Sequence, residues 1–160
     1  MTVQDFIVNY SETFQFIHDR HGKAAVIALW EYLGECGTEL IEKVEEGGIQ
    51  GYYEYFYGSA GTCTREHVEG GAWIDEDGTY HEKIVDCPSV SALEARGKRP
   101  YRYYCEHCYW LYHKALEDNG FTYDADYELQ PKDGYSKDCY FCAKAKTCTK
   151  KNNHSDGGAR

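Results

Sequence analysis

The sequence lacks several features that would assign it to a large functional class. No apolar run approaches the roughly 20 residues that span a bilayer, and the first five residues have neither the basic start nor the apolar stretch of a signal peptide. Basic residues are scarce: 17 Lys and Arg stand against 27 Asp and Glu, a net charge of −10. Because phosphate backbones are bound through Lys and Arg, we expect a cytoplasmic protein that binds neither membrane nor nucleic acid.

Common catalytic signatures are also missing. The sequence contains no Walker-type phosphate loop, no G-x-S-x-G elbow, no H-E-x-x-H motif and no dinucleotide fingerprint. Its hydrophobic fraction of 42%, with 16% aromatic residues, is nevertheless ample for a globular core. We expect residues 1–148 to form a single domain, and the polar residues 149–160 to form a disordered tail.

Hydrophobic spacing predicts a helical N-terminal half. Apolar residues recur at helical spacing over residues 2–20 and again over residues 23–46. Gly34 and Gly37 lie inside the second helix, where they mark either a kink or a close approach of another backbone or a ligand. The aromatic segment 49–62 favours a short third helix.

Strand patterns dominate the second half. An Asp-Gly pair between strand-like runs predicts a hairpin within residues 70–86. A helix follows over residues 100–117, with Pro at its first position. Strict alternation then predicts a strand over 121–129, with an antiparallel partner over 138–147. The expected fold class is α+β, a helical N-terminal half packed on a small antiparallel sheet.

Cysteine is the unusual component of the composition. The eight cysteines are Cys36, Cys63, Cys87, Cys105, Cys108, Cys139, Cys142 and Cys148. In a reducing compartment, so many thiols in a short chain favour metal or thiol chemistry over a disulfide framework. Any single cysteine taken alone is equally well explained as a small buried hydrophobic residue.

One cysteine pair is placed for joint action. Cys105 and Cys108 stand three residues apart on the helix predicted from residue 100, so that they share a face with Tyr101 and Tyr104, while His107 points elsewhere. The pair lies in the N-terminal half of that helix, where the dipole favours a thiolate. The two thiols either bind one metal together or simply pack.

A second C-x-x-C lies on a predicted strand. Residues three apart on a strand point to opposite faces, so Cys139 and Cys142 are not expected to bind one ion together. A site formed by Cys87, Cys105, Cys108 and one of these two would offer four thiolates. That set suits tetrahedral zinc and an iron–sulfur cluster equally well.

The motifs of the second half follow one another in a defined order along the chain. It runs from Cys87-Pro88 through a helix with C-x-x-C and a Gly120-Phe121 turn to a strand with Asp138-Cys139-Tyr140-Phe141. This order resembles the L-2-amino-thiazoline-4-carboxylic acid hydrolase family. The resemblance implies a hydrolase that cleaves a C–N or C–S bond of a small carboxylate, either with metal-activated water or with a thiolate nucleophile.

Candidate residues for this chemistry follow from the resemblance and from the residue types. The candidate catalytic residues are His67, His107 and Cys105, and the candidate substrate-binding residues are Tyr101, Tyr104 and Arg102. The histidines can transfer protons near neutral pH, and the arginine can hold the substrate carboxylate. The candidate metal ligands are Cys87, Cys105, Cys108, Cys139 and Cys142, and the candidate cofactor is zinc or an iron–sulfur cluster.

Two other functions are compatible with the same residues. One is a zinc- or iron–sulfur-binding sensory domain without hydrolase activity. The other is an iron–sulfur enzyme that acts on a small acid. The aromatic residues 52–57 form either a dimer surface, and thus a homo-oligomer, or part of the core.

Overall fold

The computed structural model describes residues 2–58, 69–127 and 135–146. In chain order, the elements of these ranges are α1 (Val3–His21), α2 (Lys23–Glu35), α3 (Thr38–Tyr57), β1 (Glu69–Ile74), β2 (Tyr80–Val85), α4 (Pro88–Ala95), α5 (Glu106–Glu117), β3 (Phe121–Tyr127) and β4 (Cys139–Ala145). The strands form one antiparallel sheet in the order β1-β2-β4-β3. The predicted α+β class is confirmed.

The N-terminal helices differ in extent from the prediction. The first helix is confirmed and begins with a capping box, in which Thr2 and Asp5 satisfy each other's backbone N–H groups. The single helix predicted over residues 23–46 is wrong. The chain leaves the helical path at Gly37, and α3 begins one residue later and continues through a break at Gly48, whose φ is +58°. Glycine reaches that φ without steric cost. The helix that was predicted to end at residue 46 therefore continues, and the break near that point is a kink inside α3.

Gly34 marks a close approach of another backbone. A Cβ atom at this position would lie 2.4 Å from the carbonyl oxygen of Leu111 in α5. No side chain larger than hydrogen fits there while α5 keeps its place. The residue therefore sets how closely α2 and α5 pack.

The sheet follows the predicted pairing. The hairpin of β1 and β2 turns at Gly78, whose φ is +81°, and β3 pairs with β4 as expected. Along β2, the buried residues Tyr80, Glu82 and Ile84 point to the same side. Their partners on β4 are Ala143, Phe141 and Cys139, so this side is the inner face of the sheet.

The segment between β2 and β3 contains two helices instead of one. The sequence did not predict α4, which has Cys87 as its N-cap residue and Pro88 at its first position. The predicted helix start at Pro100 is wrong, because residues 102–105 form turns and α5 begins at Glu106.

Two hydrophobic clusters hold these elements together. The sheet cluster consists of Leu40, Val44, Ile49, Tyr52, Phe56, Tyr80, Ile84, Ala115, Leu116, Tyr123, Phe141 and Ala143. The helix cluster consists of Phe14, Val26, Trp30, Val90, Leu93, Tyr101 and Tyr104. Tyr52 and Phe56 are thus core residues. For these two side chains the structure supports the second interpretation of the aromatic residues 52–57, in which they form part of the core. Cys87 packs against both clusters and marks the junction between them.

Candidate thiol centre

Cys105 and Cys108 lie at the beginning of α5. Cys105 is the N-cap residue with helical dihedral angles, φ −64° and ψ −26°, and Cys108 is the third residue of the helix. The two side chains therefore keep the i, i+3 relation that was predicted, although the helix begins later. Both thiols stand at the positive end of the helix dipole.

A short segment before β4 connects three of the cysteines. The backbone N–H of Ser136 donates to Sγ of Cys105 at 3.1 Å. The backbone N–H of Cys87 donates to the carbonyl oxygen of Lys137 at 2.8 Å. Since Cys139, the first residue of β4, comes two residues after Lys137, this segment brings the starts of α4, α5 and β4 together.

The four thiols lie close enough to influence one another electrostatically. Burial raises the pKa of Cys105 to about 12, and the thiols of Cys87 and Cys108 add to the effect. Burial also raises the pKa of Cys139, to which Cys108, Cys87 and Cys105 contribute. We call Cys87, Cys105, Cys108 and Cys139 the thiol centre.

The thiol centre is a group of neighbours and not a preformed cage. Within the three described ranges, no group of three or more His, Cys, Asp or Glu side chains has the arrangement of a metal-ion site. Each cysteine has one side-chain torsion that positions its sulfur, so closure around an ion requires rotation about Cα–Cβ bonds.

The two cysteines of β4 point in opposite directions, as predicted. Cys139 shares the inner face with Phe141, whereas Cys142 stands opposite His81 and Asp124 on the other face. The structure therefore separates Cys142 from the thiol centre. The candidate catalytic residue His67 and the cysteines Cys63 and Cys148 lie outside the described residues.

His107 contacts the thiol centre from the side of the helix cluster. Its ring packs against those of Tyr104 and Tyr10, and its Nδ1 hydrogen-bonds to the carbonyl oxygen of Tyr104. A carbonyl only accepts, so Nδ1 carries the proton and Nε2 presents its lone pair. That Nε2 lies 3.5 Å from Sγ of Cys108, an arrangement in which the imidazole can accept the thiol proton.

The candidate substrate-binding residues separate into two groups. Tyr104 is buried beside the thiols: burial raises its pKa, and Cys108 and Cys87 raise it further. The hydroxyl of Tyr101 instead lies 2.8 Å from Nδ1 of His18 on α1. Arg102 is exposed, with its guanidinium over the ring of Tyr103, so it is not among the residues placed at the thiols.

A tyrosine that sequence reasoning missed adjoins the sulfurs. The hydroxyl oxygen of Tyr127 is buried and has no hydrogen-bond partner among the residues that the structure describes. Burial raises its pKa, and Cys108, Cys139 and Cys105 raise it further. An unpaired buried hydroxyl costs about 1–3 kcal/mol, so this position favours a polar group between the hydroxyl and the sulfurs.

A buried carboxylate is the second residue that was missed. Glu82 is fully buried, and the hydroxyls of Tyr57 and Tyr80 donate to its two oxygens at 2.9 and 3.1 Å. Its negative charge contributes to the raised pKa of Cys139, of which burial is the main cause. The alternation of the predicted hairpin could have revealed it, since Glu82 stands between Tyr80 and Ile84 on the apolar face.

The raised thiol pKa predicts alkaline destabilisation of the chelator-treated protein. Above pH 9, the ordinary pKa of cysteine, the thiol of Cys105 ionises in the unfolded chain but keeps its proton in the folded chain up to about pH 12. The free energy of unfolding should therefore fall across this range. Urea midpoints at pH 8, 9, 10 and 11 measure the effect.

Two variants separate this thiol from other groups that titrate at high pH. Cys105→Ser should flatten the dependence, whereas Cys36→Ser, which changes an exposed cysteine, should leave it unchanged. Equal slopes in wild type and Cys105→Ser would contradict the assignment.

Comparison with known proteins finds no matching family model, no matching curated protein and no matching solved structure. The resemblance to the thiazoline hydrolases remains a prediction from the motif residues. No helix in the described ranges is both long enough and apolar enough to span a bilayer.

Proposed function

We propose that the protein binds a zinc ion or an iron–sulfur cluster through Cys87, Cys105, Cys108 and Cys139. The observation that supports this function best is the convergence of four thiols from the starts of α4, α5 and β4 on one buried region. Four cysteine thiolates are a common ligand set for both kinds of centre.

The electrostatics of the region favour ligation over free thiol reactivity. Without a cation, burial raises the pKa of Cys105 and of Cys139 and holds these two thiols in their neutral form, which is a poor nucleophile. A bound cation reverses this preference, because it stabilises the thiolates directly. The N-terminus of α5 and the N–H of Ser136 then stabilise the negative sulfur of Cys105.

Elemental analysis of anaerobically purified protein tests the proposal. We expect either zinc at about one ion per chain, or iron together with acid-labile sulfide. Protein that contains neither, and that fails to take up zinc or iron with sulfide after reduction, would overturn it.

We propose a second candidate function, the hydrolysis of a C–N bond in a small molecule that carries a carboxylate. His107 and Tyr127 favour it, because an imidazole lone pair faces a thiol and a buried hydroxyl lies beside the same sulfurs. In this reaction Cys108 transfers its proton to His107, and its sulfur bonds to the electrophilic carbon as the C–N bond breaks. The leaving nitrogen takes the proton, and water then releases the product and restores the thiol.

His107→Gln tests this second function. With L-2-amino-thiazoline-4-carboxylate as substrate, kcat should fall by about 100-fold or more, because the amide cannot accept the thiol proton. His21→Gln, at the exposed end of α1, is the matched control and should retain wild-type kcat. Equal kcat values for the two variants, or no turnover by wild type, would exclude the hydrolase function.

A further inference from the structure

The outer face of the sheet carries a second group of polar side chains, away from the helices that pack on the inner face. His81 of β2 and Tyr140 of β4 both point to this outer face, because side chains alternate along a strand and the buried positions of β2 and β4 form the inner one. They are diagonal neighbours, since the residue paired with Tyr140 is Lys83, two positions beyond His81. Diagonal positions lie close enough for long and aromatic side chains to meet.

Both nitrogens of the His81 ring are hydrogen-bonded. Nε2 lies 2.7 Å from Oδ2 of Asp75, and Nδ1 hydrogen-bonds to the hydroxyl of Tyr140. A carboxylate only accepts, so Nε2 carries the proton of the neutral imidazole and Nδ1 presents its lone pair. The hydroxyl of Tyr140 therefore donates to His81, which is the relation of a nucleophile to its general base.

A tryptophan holds this arrangement in place. The indole N–H of Trp73 donates to Oδ1 of Asp75 at 3.1 Å, which leaves Oδ2 for the histidine. The Trp73 ring also stacks on the His81 ring, with centroids 5.1 Å apart and an angle of 20° between the planes. Asp75 thus fixes the tautomer of His81 and stabilises the imidazolium that forms when the ring accepts a proton. We call Asp75, His81 and Tyr140 the outer-face triad.

The tyrosine of the outer-face triad also lines a cavity of about 250 Å³. The residues around this cavity are Lys83, Asp126, Asp138, Cys139 and Tyr140. Lys83 and Asp126 are the cross-strand partners of Tyr140 on its two sides, and both are exposed. Partial burial raises the pKa of Tyr140, and Cys142 and Asp75 raise it further. The phenol therefore keeps its proton near neutral pH and needs a base in order to react.

We propose that Tyr140 is a nucleophile that accepts an acyl group from a small ester bound in this cavity, with His81 as its general base. The phenolic oxygen bonds to the carbonyl carbon, and its proton passes to Nδ1 of His81. The C–O bond of the ester then breaks, and the leaving alkoxide takes the proton from His81. The products are an acetyl or similar acyl ester of Tyr140 and a free alcohol.

The surroundings of Tyr140 suit this step. Lys83 stands directly across from Tyr140, and its side chain is long enough to bring the ammonium to the oxyanion that forms at the carbonyl carbon. The step uses neither a thiol nor a metal ion. It is therefore independent of the function proposed for the thiol centre.

Site-resolved acetylation of the full-length protein tests the proposal. The probe is p-nitrophenyl acetate at pH 7.5, and peptide mass spectrometry after short exposures measures the acetylated fraction at each tyrosine. Tyr140 should be acetylated at least about 10-fold faster than Tyr32, an exposed tyrosine of α2, because general-base assistance contributes roughly 100-fold or more. Equal rates at the two tyrosines would overturn the proposal, and this comparison within wild type needs no variant.

A matched pair of variants tests the role of the histidine. His81→Gln retains a polar side chain that cannot accept the phenolic proton, so the rate at Tyr140 should fall by about 100-fold while the rate at Tyr32 stays unchanged. His21→Gln makes the same change at the exposed end of α1 and should leave both rates unchanged. Equal rates at Tyr140 in the two variants would exclude His81 as the base.

A third variant separates the phenol from the thiol beside it. Cys142 is paired with His81 across the ladder, so acylation of the thiol followed by transfer to Tyr140 would also label the tyrosine. Cys142→Ser should leave the rate at Tyr140 unchanged. Loss of Tyr140 acetylation in this variant would assign the nucleophile to the thiol and overturn the proposal.

Discussion

Gly34→Ala is expected to lower the free energy of unfolding by about 2–3 kcal/mol, the upper part of the range for overpacking a close contact. The added Cβ would stand 2.4 Å from the carbonyl oxygen of Leu111, and the obstructing atom is backbone, which cannot rotate away. Either α2 or α5 must shift. The gain in helix propensity from Gly to Ala, up to about 1 kcal/mol, offsets only part of this cost.

Gly47→Ala provides the matched control within another helix. A Cβ at Gly47 would meet nothing within 4 Å, so this variant should be neutral or slightly more stable than wild type. Urea unfolding followed by circular dichroism measures both variants. A Gly34→Ala protein as stable as Gly47→Ala would show that α2 and α5 can separate without cost.

The elements with strong periodicity were predictable from the sequence. The spacing of Phe6, Tyr10 and Phe14 gave α1, and the alternation from Phe121 to Tyr127 gave β3, because each pattern has the period of one regular structure. The division between α2 and α3 was not predictable in this way. Apolar residues continue at helical spacing across Gly37, and the close contact with α5 that accompanies the division is not local in sequence.

The thiol centre was partly predictable, because the periods of helix and strand decide which of its cysteines share a face. The i, i+3 spacing places Cys105 and Cys108 on one helix face, and the two-residue repeat of β4 separates Cys139 from Cys142. Tyr127 acquires its role only through tertiary packing. His107 acquires its role through local contacts, although helical spacing predicted that its ring would point away from the cysteine pair. His107 turns towards Cys108 because the carbonyl of Tyr104 holds its other nitrogen, and no spacing rule predicts that bond.

Cys139→Ser is expected to abolish stoichiometric metal binding, whereas Cys142→Ser is expected to leave it intact. The two residues are three positions apart on β4 and undergo the same chemical change. Only Cys139 faces the inner side of the sheet and the other three thiols. Because a serine hydroxyl stays protonated where a cysteine thiol ionises, the loss of one thiolate from four should weaken metal affinity by more than the roughly 10- to 100-fold cost of losing an outer-shell partner.

A stability measurement keeps this comparison decisive if Cys139→Ser weakens the fold. Metal bound to the native state raises the urea midpoint in proportion to its binding free energy, so chelation should lower the midpoint of wild type and of Cys142→Ser. It should leave the midpoint of Cys139→Ser unchanged, whatever the initial stability of that variant. Equal metal content in both variants would remove β4 from the metal centre and leave Cys139 as a packing residue of the sheet cluster.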